Sequence, residues 1–255
     1  MPAALTDVLS YCDELLDAAS FDDYGPNGLQ VPGRAEVARV ATGVSSGVEL
    51  FERARDARAD LVLVHHGLFW GGAPAGLSPP LAARLRVLLG DGMGLAQYHL
   101  PLDAHPEIGN NALLADGLGL TDREPFVTVR GRAIGVAGRL PGDGLPAQAL
   151  AVRVHALVGQ EPLLVAAGPD PVRTLGIVSG GAAREVVAEA TARGLDAGLT
   201  GEPTESVYND AREAGVHLLA AGHYATETFG IRALGERVAA RFGLEHVFID
   251  VPNPI

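Results

Sequence analysis

A single cysteine, Cys12, stands among the 255 residues. One thiol cannot close an intrachain disulfide, and it cannot supply a cysteine-rich zinc site. Cys12 reads as a packed small apolar side chain rather than a nucleophile. Positive charge is scarce as well: 19 Lys and Arg stand against 31 Asp and Glu, a formal net charge of −12. An acidic surface repels phosphate backbones, which argues against general nucleic-acid binding. A small phosphorylated substrate stays feasible where a cation screens it. Long uncharged apolar runs are missing, and the opening "MPAALTDVLSYCDELLDAA" carries acids where a signal peptide would carry bases. The expectation is a soluble cytoplasmic protein with no signal peptide and no membrane association. Nucleotide-fold fingerprints are absent too: "GVAGRLPGDG" is rich in glycine but lacks the order of a P-loop or dinucleotide turn. There is no GxSxG and no evident Ser-His-Asp order.

What is present is ordinary globular material, 47% hydrophobic and 20% charged, enough for one large or two modest cores. Apolar spacing over residues 5–19 predicts an amphipathic helix with Thr6 or Asp7 near its start. "DDYGPNGLQV" reads as a turn cluster entering a short extended piece. Residues 37–44 read as a strand, then a helix capped by Ser45 or Ser46, then a strand at "LVLV" (61–64) ending where His65 and His66 begin. "LSPPLAARLRVLLGDG" is a helix with Pro at its start and Gly past its end, and "GLAQYHLPLDAH" a strand running into a polar loop.

The second half repeats this order. "VRTLGIVSGG" is a strand, "AAREVVAEATARGLD" a helix, "AGLTGE" a strand, "SVYNDAREAG" a helix, and "VHLLAAGHYATE" a strand entering a polar segment. Asp60 before "LVLVHH" corresponds to Asp196 before "AGLTGE", and His99 and Asp103 are spaced like His223 and Glu227. The pattern predicts an α/β fold (α+β by some schemes) of two internally duplicated halves, with chance similarity of two βαβ units as the alternative. The expected division is a first half over 1–121, a connecting segment over 122–171 packed on the same body, and a second half over 172–255. No stretch is long or polar enough for a flexible linker.

Three clusters of histidine and carboxylate lie at predicted strand ends: His65-His66, Tyr98 to His105, and Gly222 to Glu227. A lone histidine there is ordinarily solvated or hydrogen-bonded; three clusters together point to metal ligation. Imidazole and carboxylate donors suit Zn, Mn, Fe or Co better than Ca or Mg. Neighbouring residues on a strand face opposite ways, so His65 and His66 are expected to serve different ions. If "HYATE" turns helical, His223 and Glu227 share a face. Asp103 is the candidate to bridge two metals. His105, His155 and His217 read as structural, and Phe69 and Trp70 as cleft wall, packing or interface.

"VHHGLFW", "YHLPLDAH", "LTGE" and "AAGHYATE", in that order, with "YGPNGLQV" and "FIDVPNPI" near the ends, resemble the GTP cyclohydrolase I type 2 family, the Nif-three-like hexameric proteins with a dinuclear metal centre. The resemblance spans nearly the whole chain. It implies two similar α/β halves with the metal site in the cleft between them, in the compact bacterial form without an insert domain. It places the ligands of two divalent ions on His65, His66, Asp103, His223 and Glu227, and implies a toroidal homohexamer. The activity it implies is metal-dependent hydrolysis of a nucleotide or related small molecule. From their places in the motifs, His99, Thr200, Glu202 and Tyr224 are candidates for proton transfer or substrate contact, and Glu202 alternatively for orienting a ligating histidine. A non-enzymatic metal-binding ring that acts as a scaffold or binds partners is the competing reading.

Overall fold

The computed structural model describes residues 1–72, 74 and 76–255. The chain runs β1 (Ala3–Ala4), α1 (Leu5–Leu15), β2 (Gly28–Val31), β3 (Glu36–Val37), β4 (Arg39–Ser45), α2 (Val48–Asp56), β5 (Leu61–His66), α3 (Pro79–Gly90), β6 (Gly94–Gln97) and α4 (Leu100–Ala104). It continues through α5 (Asn110–Leu118), β7 (Thr121–Val129), β8 (Arg132–Arg139), α6 (Ala147–Val158), β9 (Leu163–Val165), β10 (Thr174–Ile177) and α7 (Ala183–Arg193). It closes with β11 (Ala197–Thr200), α8 (Glu205–Ala214), β12 (His217–Ala220), α9 (His223–Thr226), α10 (Thr228–Phe242) and β13 (Glu245–Phe248). Among the described residues, no helix is long and apolar enough to cross a membrane.

These elements form two units. The first holds Met1–Leu102 and Gly230–Val251, the second Asp103–Phe229 and Pro252–Ile255. This division differs from the 1–121, 122–171 and 172–255 pieces read from the sequence. Residues 122–171 are no connector: β7, β8 and β9 are strands of the second unit's sheet. The tail changes unit because β13 pairs in parallel with β4, placing Val247 beside Ala41.

In the first unit the sheet order is β13-β4-β5-β6-β2, with β2 the antiparallel edge. Leu61 to Val64 are all buried, as expected of a parallel strand covered on both faces. The core joins Val62, Val64 and Leu95 to Leu50, Phe51 and Leu88 from the helices. Cys12 is buried on α1, and burial pushes its thiol pKa up to about 12, as fits a packing residue. Ser78 caps α3, its hydroxyl accepting from the Leu81 N–H at 3.4 Å, with Pro79 and Pro80 opening the first turn. Neither Ser45 nor Ser46 caps α2, contrary to expectation; Gly47 holds that place and the Ser45 hydroxyl turns to His66.

The second unit's sheet runs β7-β8-β10-β11-β12-β9, with β10, β11 and β12 parallel. Leu175, Ile177, Leu199 and Leu219 meet Leu114, Leu118, Leu150 and Val154 in its core. Gly194 and Gly215 end α7 and α8 with φ of 66° and 69°, a left-handed conformation that glycine adopts without steric cost.

The duplication is visible in matching hydrogen bonds. The Asp60 carboxylate accepts from the Ala38 and Arg39 N–H groups at 2.8 and 3.0 Å, at the start of β4. The Asp196 carboxylate accepts from the Arg173 and Thr174 N–H groups at 2.8 and 2.9 Å, at the start of β10. The Asp60 carbonyl receives the N–H of Gly94, first residue of β6, and the Asp196 carbonyl that of His217, first residue of β12. Each unit is therefore a copy of one α/β motif.

Candidate metal-binding groups

In the first unit β5 does not stop before the histidines; it runs through His66, which pairs with Ser45. Pairing ends one residue later because the Gly67 N–H goes to Gln97 Oε1 and the Leu68 N–H to Gln30 Oε1, both at 2.7 Å. His65 is fully buried and His66 half-buried, yet their ring centroids lie 4.7 Å apart. Alternation along a strand therefore does not separate them: His66 is the strand's last residue, and its ring turns toward His65. His99 follows β6, its ring centroid 5.0 Å from His65 and 5.5 Å from His66. One donor nitrogen from each of the three lies within 4.8 Å of the others.

Each ring has its Nδ1 engaged. His65 Nδ1 donates to the Tyr98 carbonyl at 3.0 Å, because a carbonyl only accepts. His66 Nδ1 meets the Ser45 hydroxyl at 3.1 Å. His99 Nδ1 lies 2.7 Å from Asp23 Oδ1. The Asp23 side chain is 2% exposed, and it also accepts from the Leu100 N–H and the Asn27 amide, both at 2.9 Å. Burial raises its pKa, but the His99 ring, the Asn27 amide and the Tyr24 N–H outweigh burial and hold the carboxyl below its ordinary range. Nothing in the turn cluster "DDYGPNGLQV" marks Asp23 as the partner of a residue 76 positions away.

The segment expected to be a polar loop after β6 is the short helix α4, whose Asp103 is the first residue of the second unit. The buried Asp103 carboxylate accepts from the Asn110 amide at 2.8 Å and from the Ser179 hydroxyl at 3.1 Å. "HYAT" is helical, as α9, and Glu227 follows it, so His223 Nε2 and Glu227 Oε2 meet at 3.2 Å. His223 Nδ1 lies 2.7 Å from Glu202 Oε1. Burial pulls the His223 pKa down, but Glu227 and Glu202 outweigh it and hold the ring up at about 9. Asp103 and Glu227 each bring a carboxylate oxygen within 4.8 Å of the other, an arrangement that calls for a cation or strong donors.

Gly180 makes the room for this group. Its φ is 66°, and a Cβ there would collide with Glu227 Oε1 and come 3.2 Å from His223 Nε2. Thr200 and Thr226 pin it: the Thr200 hydroxyl donates to the Gly180 carbonyl and the Thr226 hydroxyl accepts its N–H, both at 3.1 Å. The imidazole and carboxylate donors that this glycine allows to pack against its backbone fit a divalent transition ion.

Among the other candidates, Tyr224 has a buried side chain, and its N–H donates to the Ile255 carbonyl. Thr200 is fully buried as the pin of Gly180. His217 bridges the Ala167 N–H and the Pro169 carbonyl, and His105 Nδ1 accepts from Glu107 and Ile108, so both hold backbone. Phe69 packs on the first unit's core, whereas Trp70 is 44% exposed with its ring 5.1 Å from His99. Asn110 and Asp23 were not legible as site residues, because each acts through a partner distant in sequence.

The comparisons with known proteins give the family and the fold. The family model for Duf34/NIF3 (NGG1p interacting factor 3) matches residues 3–254. The chain belongs to the Duf34/NIF3 family. A Pseudomonas aeruginosa relative named GTP cyclohydrolase 1 type 2 homolog is 45% identical over 254 residues, covering 100% of both chains. An Escherichia coli K12 relative of the same name is 40% identical over 253 residues, 98% of each. A solved structure described as protein ybgI, of unknown function, superposes with a TM-score of 0.93 at 39% identity, covering 99% of this chain and 100% of that one. A Thermus thermophilus structure gives a TM-score of 0.90 at 38% identity, with the same coverage. Reduced HcgD from Methanocaldococcus jannaschii, 19% identical with a TM-score of 0.85 over 98% of this chain and 99% of its own, shares the Duf34/NIF3 fold.

Proposed function

We propose that His65, His66, Asp103, His223 and Glu227 hold two divalent ions, drawn from Zn, Mn, Fe or Co, and that the protein is a metal-dependent hydrolase of a nucleotide or related small molecule. The observation that carries this reading is Gly180: a backbone turn kept clear of any side chain against Glu227 and His223, with a second buried carboxylate, Asp103, in reach. Bound divalent ions would lower the pKa of a coordinated water toward neutrality and polarise the attacked group. Glu202 keeps His223 in the orientation that presents Nε2, and Tyr98 does the same for His65 through its carbonyl. Asn110 and Ser179 hold the Asp103 carboxylate in place.

The names of the curated relatives support the hydrolase class, and the family resemblance supports a cytoplasmic homohexamer. A metal would also screen an anionic substrate from a chain of net charge −12.

The test is metal content per chain of protein purified without chelator, for wild type, His65→Ala and His223→Ala. About two transition ions per wild-type chain, lost in both variants, support the reading, and a nucleotide hydrolysis screen follows. Asp103→Ala should then lose metal and turnover together. A wild-type chain that stays empty after incubation with Zn or Mn overturns it. A loaded chain that hydrolyses no nucleotide favours the non-enzymatic ring.

A further inference from the structure

Three aromatic side chains among the described residues are exposed: Tyr24, Trp70 and Tyr208. Tyr208 lies under the Arg212 guanidinium on α8. The other two flank His99 in the first unit. The Trp70 ring centroid is 5.1 Å from that of His99 and 5.8 Å from that of His66, and the Tyr24 ring is 6.2 Å from His99.

Neither ring hangs on a loose segment. Phe69 packs on the core just before Trp70, and the Gly71 N–H just after it donates to the Tyr24 carbonyl at 2.8 Å. Gly25 completes the contact. A Cβ there would stand 2.6 Å from the Phe69 carbonyl oxygen and 3.4 Å from Trp70 Cε3, so glycine is what lets the turn lie against the indole. The turn is itself fastened to the end of β6: Asn27 Oδ1 accepts the His99 N–H and Asp23 Oδ2 accepts the Leu100 N–H, both at 2.9 Å. A flat ring that the fold immobilises yet leaves exposed loses little side-chain entropy when a second ring covers it.

We propose that Trp70, with Tyr24 beside it, is the platform on which a planar heteroaromatic ring of the substrate, a nucleobase, stacks, and that Trp70 is therefore a specificity-determining residue. This rests on the hydrolase reading above and deepens it by naming what selects the substrate. The occupant follows from the neighbourhood. His66, one of the proposed ligands, is close enough to the indole that a nucleotide with its reacting group at the ions reaches Trp70 with its base. Every base has a π face, so the platform registers that a base is present rather than which one. Stacking on an uncharged ring also suits a chain of net charge −12, whose field opposes the phosphates of the same ligand.

Trp70 is the chain's only tryptophan, so indole fluorescence reports this ring alone. The test titrates the full-length, Zn(II)-loaded protein with GTP, ATP and UTP, and with inorganic tripolyphosphate as the ring-free control. Wild type, Trp70→Phe and Trp70→Ala are also compared by calorimetry, with metal content and circular dichroism to confirm the centre and the fold. The expected result is saturable quenching of the wild-type indole by the nucleotides and none by tripolyphosphate. Nucleotide binding should weaken by about 5–150-fold in Trp70→Ala and by less in Trp70→Phe, with tripolyphosphate affinity and metal content unchanged in both. A folded Trp70→Ala protein that binds nucleotides with wild-type affinity overturns the proposal while leaving the hydrolase reading standing. Indole emission that shifts with protein concentration but not with nucleotide gives the ring to a second copy of the chain, and overturns it as well. A metal-loaded wild type that binds no nucleotide overturns both readings.

Discussion

Asp60 and Asp196 perform the same task in the two units: each carboxylate collects two successive backbone N–H groups at the start of the neighbouring strand. An ionised acceptor of two amide donors is a strong local tie. Asp60→Ala and Asp196→Ala should each destabilise the protein by about 1.5–3 kcal/mol. Urea unfolding monitored by circular dichroism reads this directly. An unshifted midpoint in either variant would show that water replaces the carboxylate at no cost.

Gly180→Ala is expected to act on stability and metal loading together. The left-handed backbone costs a non-glycine residue about 1–2 kcal/mol, and the new methyl group would push on Glu227. Loss of metal at a temperature where the variant is still folded is the expected outcome. Full metal occupancy would show that Glu227 can move aside.

Glu202→Gln keeps a hydrogen-bonding group beside His223 but removes the charge. Metal affinity should fall by about 10–100-fold with the fold intact. Chelator competition measures it. If Glu202 instead contacts substrate alone, affinity for metal stays at the wild-type value.

His246 provides a pH prediction away from these groups. Its Nε2 lies 2.9 Å from the Thr42 hydroxyl, and Gly235 packs against the ring. Burial lowers its pKa below 6.5; among the charged neighbours Glu236 works against that shift and Arg232 adds to it. The unfolded chain therefore binds a proton more readily. The stability contribution is fully present above pH 6.5 and lost as pH falls through the folded-state value. Unfolding free energies of wild type and His246→Gln, compared between about pH 5 and 8, should converge on acidification. A constant difference would show that His246 does not titrate differently on folding.

Much of this molecule was legible along the chain. The α/β order, the duplication, and helices such as Pro79–Gly90 and Ala183–Arg193 follow from apolar periodicity, an opening proline and glycine stops, which are local signals. The helical turn that aligns His223 with Glu227 was conditional on spacing and is present. The end of β5 was misplaced because what stops it is not local. Gln30 and Gln97 take the N–H groups that would have continued the ladder, and a glutamine side chain leaves no periodic trace. The unit boundary escaped for a similar reason: β13 joins β4 across some two hundred residues of chain, and parallel pairing has no hairpin turn to announce it.

The sequence by itself determined the type of donor and the scaffold that carries it, because imidazole, carboxylate and hydrophobic period are properties of residues and their spacing. Tertiary structure alone decided which nitrogen each imidazole presents. Asp23 reaches His99, Ser179 reaches Asp103 and Glu202 reaches His223 only after the sheets form. A ring's tautomer is set by the group hydrogen-bonded to its other nitrogen, and each of those groups comes from a different part of the chain.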